Sequence, residues 1–398
     1  MSNRREFLKE AATGAVLVGA QSKLGLAAIL DRPMGGGKPK VVIARDPAVH
    51  GPDGQLDEKH VLDLLDRAIA SYTGRDHPIE AWKRIAPQGK VIGLKTNGLG
   101  GKGISTHLAL VLAICERLQQ AGVKPGKILV WDRNARDLEA CGLTISTDPS
   151  KVRCYGSDVS GFEDKVETWG SAHVQFSKIL TRECDVVLNL PILKDHEMSG
   201  VTFAMKNMYG VVKRPNELHA DGCNPGVADL NAFPVIREKI RLTIGDATSS
   251  VYDGGPGFHP ERLWQPNALI VGEDRVALDQ IAWGILERKR AEVGMKSLEA
   301  VGRPPRYIAT AADAAHRLGI NDPKRINLLE ICGPPWPERS IVYKTSIHSP
   351  PSRAARRCCN CFAWVALRRV RQAWAIGSAS TASARFRPAR SRPAATTA

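Results

Sequence analysis

Before residue 340, the sequence lacks the paired-cysteine motifs that mark metal, redox and disulfide-stabilised proteins. It contains nine cysteines, and the six that precede residue 340 lie singly, without a CxxC pair or a ferredoxin-type run of four. This spacing leaves the body of the chain with no iron–sulfur motif and argues against a disulfide framework. We therefore expect these six cysteines to be structural thiols, most of them buried.

The familiar catalytic motifs are missing as well. The glycine-rich stretch at residues 98–103 matches neither the GxxxxGK[ST] phosphate loop nor the dinucleotide-binding fingerprint. No two histidines show HxH or HExxH spacing, and no GxSxG nucleophile elbow is present. Any active site must therefore be assembled by the fold from residues that are distant in sequence.

The formal net charge of +15 is concentrated near one end of the chain. Residues 340–398 hold 11 of the 56 basic residues and no acid, which leaves 45 basic against 41 acidic residues in the rest. The nearly balanced body gives no indication of nucleic-acid binding. We expect the Arg/Ala/Ser/Pro-rich tail, residues 340–398, to be disordered.

The first residues resemble a twin-arginine export signal. Arg4 and Arg5 precede Phe-Leu-Lys and a weakly hydrophobic stretch at residues 11–20, which is too short to span a membrane. We expect residues 1–33 to be signal and linker, the twin-arginine translocase to be a partner, and the protein to be periplasmic or otherwise exported. The globular domain is then predicted to occupy residues 34–339.

That domain alternates short apolar strands with amphipathic helices. Strands are predicted around residues 41–44, 91–94, 128–131, 241–245 and 269–272, and helices follow several of them. Such alternation predicts an α/β fold with a mainly parallel sheet covered by helices on both faces.

The most informative stretch is residues 185–212. An apolar run closed by Pro191 reads as a buried strand, and Lys194 and His196 follow its carboxyl end. Lys206 and Asn207 then lie within an apolar segment, where polar groups need partners. Ligands of open α/β sheets bind outside the carboxyl ends of the strands, so this is the best site candidate.

Other predicted strand ends supply companion residues. Lys95 and Asn97 end the second strand, Asp132 follows the third, and Asn189 precedes Pro191. The glycine loop after Lys95 opens a helix, so its N–H groups and the lysines form a candidate anion cradle.

A divalent metal is a further candidate ligand. Asp246 and Asp253 flank a glycine-rich turn, and His219 lies in a polar loop. Carboxylates and imidazole are suitable ligands for such an ion, although Asp246 and Asp253 are equally suited to forming turns.

Several blocks of the chain resemble a bacterial and archaeal family described as domain of unknown function 362. They are Lys95-Thr96-Asn97, Ser105-Thr106-His107 and residues 189–196, 202–210, 253–256 and 274–279. Thr96 and Leu108 stand where the family commonly has proline, and the iron–sulfur module of many relatives is missing. The resemblance implies an α/β domain often found beside redox proteins, and its reaction is not established.

The sequence supports two hypotheses about function, which belong to different classes. The first is an exported enzyme for a small anionic substrate, with His196, Lys194 and Lys206 as the candidate catalytic residues. His196 is the expected general acid/base because an unperturbed histidine titrates near physiological pH. The candidate substrate-binding residues are Lys95, Asn97, Thr106, His107, Asn189 and Asn207. The alternative is a non-catalytic protein that carries a metal or cofactor for a periplasmic redox partner.

Overall fold

The computed structural model describes residues 37–333 and 341–343. These residues belong to one compact unit, Met1–Lys344. The predicted export signal and nearly all of the predicted tail lie outside the described residues. Residues 341–343 were expected to belong to the tail, but they form a strand, so the domain continues past its predicted end at residue 339.

A single large sheet organises the domain. Along its path the order is β14-β13-β1-β12-β10-β7-β2-β3-β4. The strands on this path are β1 (Lys40–Arg45), β2 (Ile92–Lys95), β3 (Ile128–Trp131), β4 (Arg153–Cys154), β7 (Val186–Asn189), β10 (Ile240–Val251), β12 (Ala268–Gly272), β13 (Asn327–Cys332) and β14 (Ile341–Tyr343). All of them run in one direction except β12 and β14, which are antiparallel to their neighbours. The mainly parallel α/β fold predicted from the sequence is therefore confirmed.

The remaining strands attach to this sheet or stand beside it. β8 (Ile192–His196) pairs with β10 and β9 (Gly200–Thr202), β11 (Leu263–Trp264) pairs with β10, and β5 (Glu167–Trp169) pairs with β6 (Ala172–Val174).

Helices cover both faces of the sheet. They are α1 (Glu58–Thr73), α2 (Pro78–Ile85), α3 (Leu108–Gln120), α4 (Ala135–Ala140), α5 (Ser157–Ser160), α6 (Gly226–Ala232), α7 (Pro234–Lys239), α8 (Arg275–Glu292) and α9 (Tyr307–Ala312). Val42 and Ala44 of β1 pack in the core formed with α1–α3, whereas Val41 and Ile43 pack on the opposite face with α8. Strands buried on both faces are apolar without alternation, which explains the continuous runs in the sequence. No helix in the described part of the chain is long and apolar enough to cross a bilayer.

The six cysteines before residue 340 are all buried and none is in a disulfide: Cys115, Cys141, Cys154, Cys184, Cys223 and Cys332. This confirms their prediction as structural thiols.

One long strand, β10, supports the polar residues of β8 beyond the edge of the sheet. β10 was predicted to end at Gly245, but it continues to Val251 and pairs first with β7 and then with β8. Pro191 separates β7 from β8, and its carbonyl accepts a hydrogen bond from the Asp246 N–H at 2.8 Å. β8 therefore extends past the carboxyl ends of its neighbours and carries Lys194 and His196 with it.

Candidate functional site

A cavity of about 430 Å³ opens at the carboxyl edge of the sheet. Strand ends, β8 and the 3₁₀ turn Lys206–Val211 form its wall. The polar residues that line it and were predicted from the sequence are Lys95, Asn97, Asp132, Lys194, His196, Lys206, Asn207 and His219. The structure thus brings together residues from five separate segments of the chain.

Lys95 is fully engaged in the wall of the cavity. Its Nζ lies 2.6 Å from Asp132 Oδ1 and donates to the Thr96 carbonyl at 2.6 Å. The other carboxylate oxygen of Asp132 accepts from the Gly98 N–H at 2.6 Å. This buried ion pair fixes the start of the glycine loop, and Lys95 is a structural residue rather than a free cation.

The 3₁₀ turn Lys206–Val211 requires a glycine at position 210, where it passes the Lys95–Asp132 ion pair. A Cβ at this position would lie 2.6 Å from both Lys95 Nζ and Asp132 Oδ1. The turn can approach the ion pair only because Gly210 has no side chain.

Lys194 differs from Lys95 because no carboxylate neutralises it. Its side chain is fully buried and donates to the Ile104 carbonyl at 3.1 Å, and it forms no salt bridge with any described residue. Burial lowers the pKa of Lys194 to about 8, although the charge of Asp132 opposes this shift. A buried ammonium without a counterion destabilises the protein and attracts an anion.

Lys206 is a second buried lysine of the cavity that forms no salt bridge with any described residue. Its Nζ lies 3.0 Å from His219 Nε2 and 3.5 Å from the centre of the Tyr209 ring. Burial lowers the pKa of Lys206 to about 8, and the charge of Lys194 acts in the same direction, whereas Cys223 opposes the shift. The cavity therefore contains two cations that lack fixed counterions.

His196 is held as a neutral imidazole. Its Nδ1 accepts hydrogen bonds from the backbone N–H groups of Met198 at 3.1 Å and Ser199 at 3.4 Å, so the proton resides on Nε2. Burial and the neighbouring charge of Lys206 lower the pKa of His196 to about 2. The expected role as a general acid/base near neutral pH is therefore wrong for the free site, and His196 is suited to donating a hydrogen bond.

Three asparagines form a hydrogen-bonded relay at the wall of the cavity. Asn189 Nδ2 donates to the Ala204 carbonyl at 2.9 Å, and Asn189 Oδ1 accepts from Asn207 Nδ2 at 2.8 Å. Asn207 Oδ1 in turn accepts from Asn97 Nδ2 at 3.1 Å. The relay leaves Asn97 Oδ1 buried with no partner among the described residues. Asn97 and Asn207 line the cavity, whereas Asn189 lies behind them and acts through Asn207.

Thr106 and His107 do not line this cavity. The Thr106 hydroxyl donates to the Leu190 carbonyl at 2.5 Å and accepts from the Asn97 N–H at 2.8 Å, so it joins two strand ends. His107 Nδ1 lies 2.8 Å from Asp246 Oδ2, and the His107 N–H donates to the same oxygen at 3.0 Å. Both residues thus connect neighbouring strand ends, and their contact with a substrate stays a prediction.

The predicted metal ligands are not brought together. Asp246 binds His107 and Thr248, whereas Asp253 is surrounded by Arg262, Arg290 and Arg303. Burial would raise the pKa of Asp253, but hydrogen bonds and charges from the three arginines lower it. A carboxylate already neutralised in this way is a poor ligand for a cation.

His219, the third predicted ligand, pairs with Lys206 instead. Its Nδ1 donates to the Pro215 carbonyl at 3.0 Å. No group of three His, Cys, Asp or Glu residues within residues 37–333 is arranged to hold a metal ion. The metal site predicted from Asp246, Asp253 and His219 is therefore not assembled.

Asp253 has a different role, in holding the rim of the cavity. Arg303 joins Asp253 to Asp195 of β8, and the Gly255 N–H donates to Asp195 Oδ2 at 3.1 Å. A Cβ on Gly255 would lie 1.8 Å from the Asp195 carbonyl oxygen, so this close approach requires glycine. The block at residues 253–256 is thus explained by packing against β8.

Asp279 of α8 is a site residue that sequence reasoning missed. It is fully buried and accepts from the Ala204 N–H at 2.6 Å and the Tyr307 hydroxyl at 3.1 Å, which anchors the turn that carries Lys206. Burial raises its pKa to about 7. The resemblance at residues 274–279 pointed to this segment, but nothing in the spacing linked it to Lys206.

Taken together, the fold and the cavity define an α/β protein with a basic site at the carboxyl edge of its sheet. Residues 92–284 match the family described as Domain of unknown function (DUF362). This match confirms, for residues 92–284, the family that the sequence blocks predicted. A comparison with curated proteins found no match.

Two solved structures are similar over part of the chain. One is a protein from Thermotoga maritima, at 12% identity and a TM-score of 0.35, covering 55% of this chain and 56% of that one. The other is the lactate racemase apoprotein from Thermoanaerobacterium thermosaccharolyticum, at 10% identity and a TM-score of 0.35, covering 61% and 55%. The chain spans little more than half the length of either protein, and so weak a likeness carries no information about function.

Proposed function

We propose that this domain is an enzyme that binds a small carboxylate or phosphate in the cavity at the carboxyl edge of the sheet. The observation that carries the proposal is the pair of buried lysines, Lys194 and Lys206, which form no salt bridge with any described residue. An anionic ligand supplies the missing counterion for both. A cavity of about 430 Å³ accommodates a small molecule.

The cavity residues divide into three roles in this proposal. Lys194 and Lys206 bind the anion, and His196 donates from Nε2–H. Lys206 is also the candidate reactive group, because its pKa of about 8 leaves part of it as a neutral amine near neutral pH. Lys95, paired with Asp132, forms the wall.

Anion binding is expected to be coupled to proton uptake. The pKa values of Lys194 and Lys206 are about 8 in the free site, and a bound anion raises both. Affinity for acetate, whose own charge is constant above pH 6, should therefore be nearly constant at pH 6–7 and fall as the pH rises through 8. Titration calorimetry in buffers of different ionisation enthalpy measures both affinity and protons.

Lys194→Met is expected to weaken this binding at least about 10-fold, since one charge-assisted contact contributes ~1.5–3 kcal/mol. The control is Lys151→Met, which changes a lysine whose side chain is 73% exposed. Equal affinity in wild type and Lys194→Met would show that the cavity is not the anion site.

The metal-carrying alternative has less support, because its three predicted ligands lie apart. The enzyme and carrier hypotheses are distinguished by incubating the purified protein with pools of small carboxylates and phosphates. Turnover that is lost in Lys206→Met supports the enzyme, whereas stable binding without turnover supports the carrier.

We also propose export by the twin-arginine route, with the translocase as one partner and a periplasmic redox protein as another; no nucleic-acid partner is proposed. The supporting observation is the Arg4-Arg5 pair followed by Phe-Leu-Lys. Cell fractionation is expected to find the protein in the periplasm, and Arg4→Lys with Arg5→Lys to retain it in the cytoplasm. Unchanged localisation of the double variant would exclude this route.

A further inference from the structure

Lys206 and His219 form a hydrogen-bonded pair in the wall of the cavity. Lys206 begins the 3₁₀ turn Lys206–Val211, and His219 follows a second 3₁₀ turn, Pro215–Leu218. Lys206 Nζ and His219 Nε2 are 3.0 Å apart, and both residues line the cavity. The pair therefore lies where a bound ligand would meet it.

The direction of this hydrogen bond follows from the other nitrogen of His219. Nδ1 lies 3.0 Å from the Pro215 carbonyl oxygen, which can only accept, so Nδ1 carries the proton. Nε2 then presents a lone pair, and the amine of Lys206 donates to it. A nucleophile, a base and a group that orients the base are thus arranged in sequence.

The surroundings of Lys206 favour the neutral amine that a nucleophile requires. Its side chain is buried, and the nearby ammonium of Lys194 makes a second positive charge unfavourable. Cys223 and the face of the Tyr209 ring favour the cation, but the effect of burial is larger, and the pKa of Lys206 falls to about 8.

Lys194 is differently placed, although it is the same residue type. Its Nζ donates to the Ile104 carbonyl, and it has no histidine as a hydrogen-bond partner among the described residues. It is therefore suited to holding the anionic group of a ligand while Lys206 reacts.

We propose that Lys206 forms a reversible imine with a small oxo acid, whose anionic group is held by Lys194. The inference rests on the proposed function and names its substrate class. The amine of Lys206 attacks the carbonyl carbon, a C–N bond forms, and His219 carries a proton from nitrogen to oxygen. A second N–H proton follows the same route, the C–O bond breaks, and one water leaves. Both hydrogens of that water come from the amine.

The test is reductive trapping in the full-length protein. The protein is incubated with sodium cyanoborohydride and glyoxylate, pyruvate or 4-oxopentanoate, and peptide mass spectrometry locates the product. We expect one reduced adduct per chain, on Lys206 and not on Lys194. At saturating oxo acid the trapping rate should rise with pH through the titration of Lys206, whose pKa is about 8 in the free site.

Two variants isolate the chemistry from binding. Lys206→Arg keeps a cation but cannot form an imine, so it should bind acetate or propanoate and give no adduct. His219→Gln should slow trapping about 100-fold or more while affinity for propanoate changes less than about threefold. Lys151→Met should trap at the wild-type rate.

The outcomes separate this inference from the proposed function. If oxo acids bind no better than acetate, propanoate and pentanoate and no adduct forms, the imine is excluded while anion binding stands. If none of these acids, nor phosphate, binds, both proposals fail. An adduct spread over surface lysines, or one that persists unchanged in Lys206→Arg, would also overturn the assignment.

Discussion

Replacing Lys194 by methionine is expected to stabilise the protein in the absence of ligand. The folded-state pKa of about 8, against the ordinary lysine value of 10.5, corresponds to a penalty of up to about 3 kcal/mol for the buried ammonium at pH 7. Methionine is unbranched and fills similar space without charge. The loss is one hydrogen bond to the Ile104 carbonyl, about 1 kcal/mol. We therefore expect a net gain of about 2 kcal/mol in the free energy of unfolding.

The pH dependence of this gain has a defined sign. Because the pKa of Lys194 is lowered in the folded state, the unfolded chain binds more protons between pH 8 and 10.5. The penalty is fully present below pH 8 and disappears as the pH rises toward 10.5. Urea denaturation of wild type and Lys194→Met should therefore show a difference that is largest at pH 7 and shrinks across this range.

Ligand should reverse the order of stability. Wild type gains stability from bound phosphate or acetate, whereas Lys194→Met binds little and gains little. Lys151→Met should resemble wild type in both conditions. A ligand-free Lys194→Met protein that is less stable than wild type at pH 7 would contradict the idea that Lys194 is uncompensated.

The sequence was sufficient to predict that polar residues from several strand ends lie together. Short apolar strands followed by polar residues predicted a parallel sheet with a polar carboxyl edge, and Lys95, Asn97, Lys194, His196 and Lys206 do line one cavity there. Such a prediction succeeds because strand direction is determined by local pattern and by the chirality of crossovers.

The partners of those residues were beyond sequence reasoning. Lys95 and Lys194 both follow apolar runs, yet Lys95 meets Asp132, 37 residues away, and Lys194 meets no carboxylate in the described part of the chain. Asp253 was a plausible metal ligand until the fold placed Arg290 and Arg303 against it. Contacts between distant segments decide whether a polar residue is structural or free for a ligand.

Replacing Lys95 by methionine is expected to have the opposite effect from Lys194→Met. The change leaves Asp132 buried without its counterion, and breaking a buried pair in this way costs about 3–5 kcal/mol. The Thr96 carbonyl also loses its donor at 2.6 Å. Urea denaturation at pH 7 should show this loss.

A double variant and an exposed ion pair test whether the unpaired charge of Asp132 causes this loss of stability. Lys95→Met with Asp132→Asn removes both charges, so it should cost less than the sum of the single changes. Lys83→Met breaks an exposed pair with Glu80 and should change the free energy of unfolding little, because solvent screens such a pair. If Lys95→Met costs no more than Lys83→Met, the pair does not support the cavity wall. Opposite signs of the change in the free energy of unfolding for the same substitution at Lys95 and Lys194 would show that they differ in role. Lys95 stabilises the cavity wall, whereas Lys194 is available to bind a ligand.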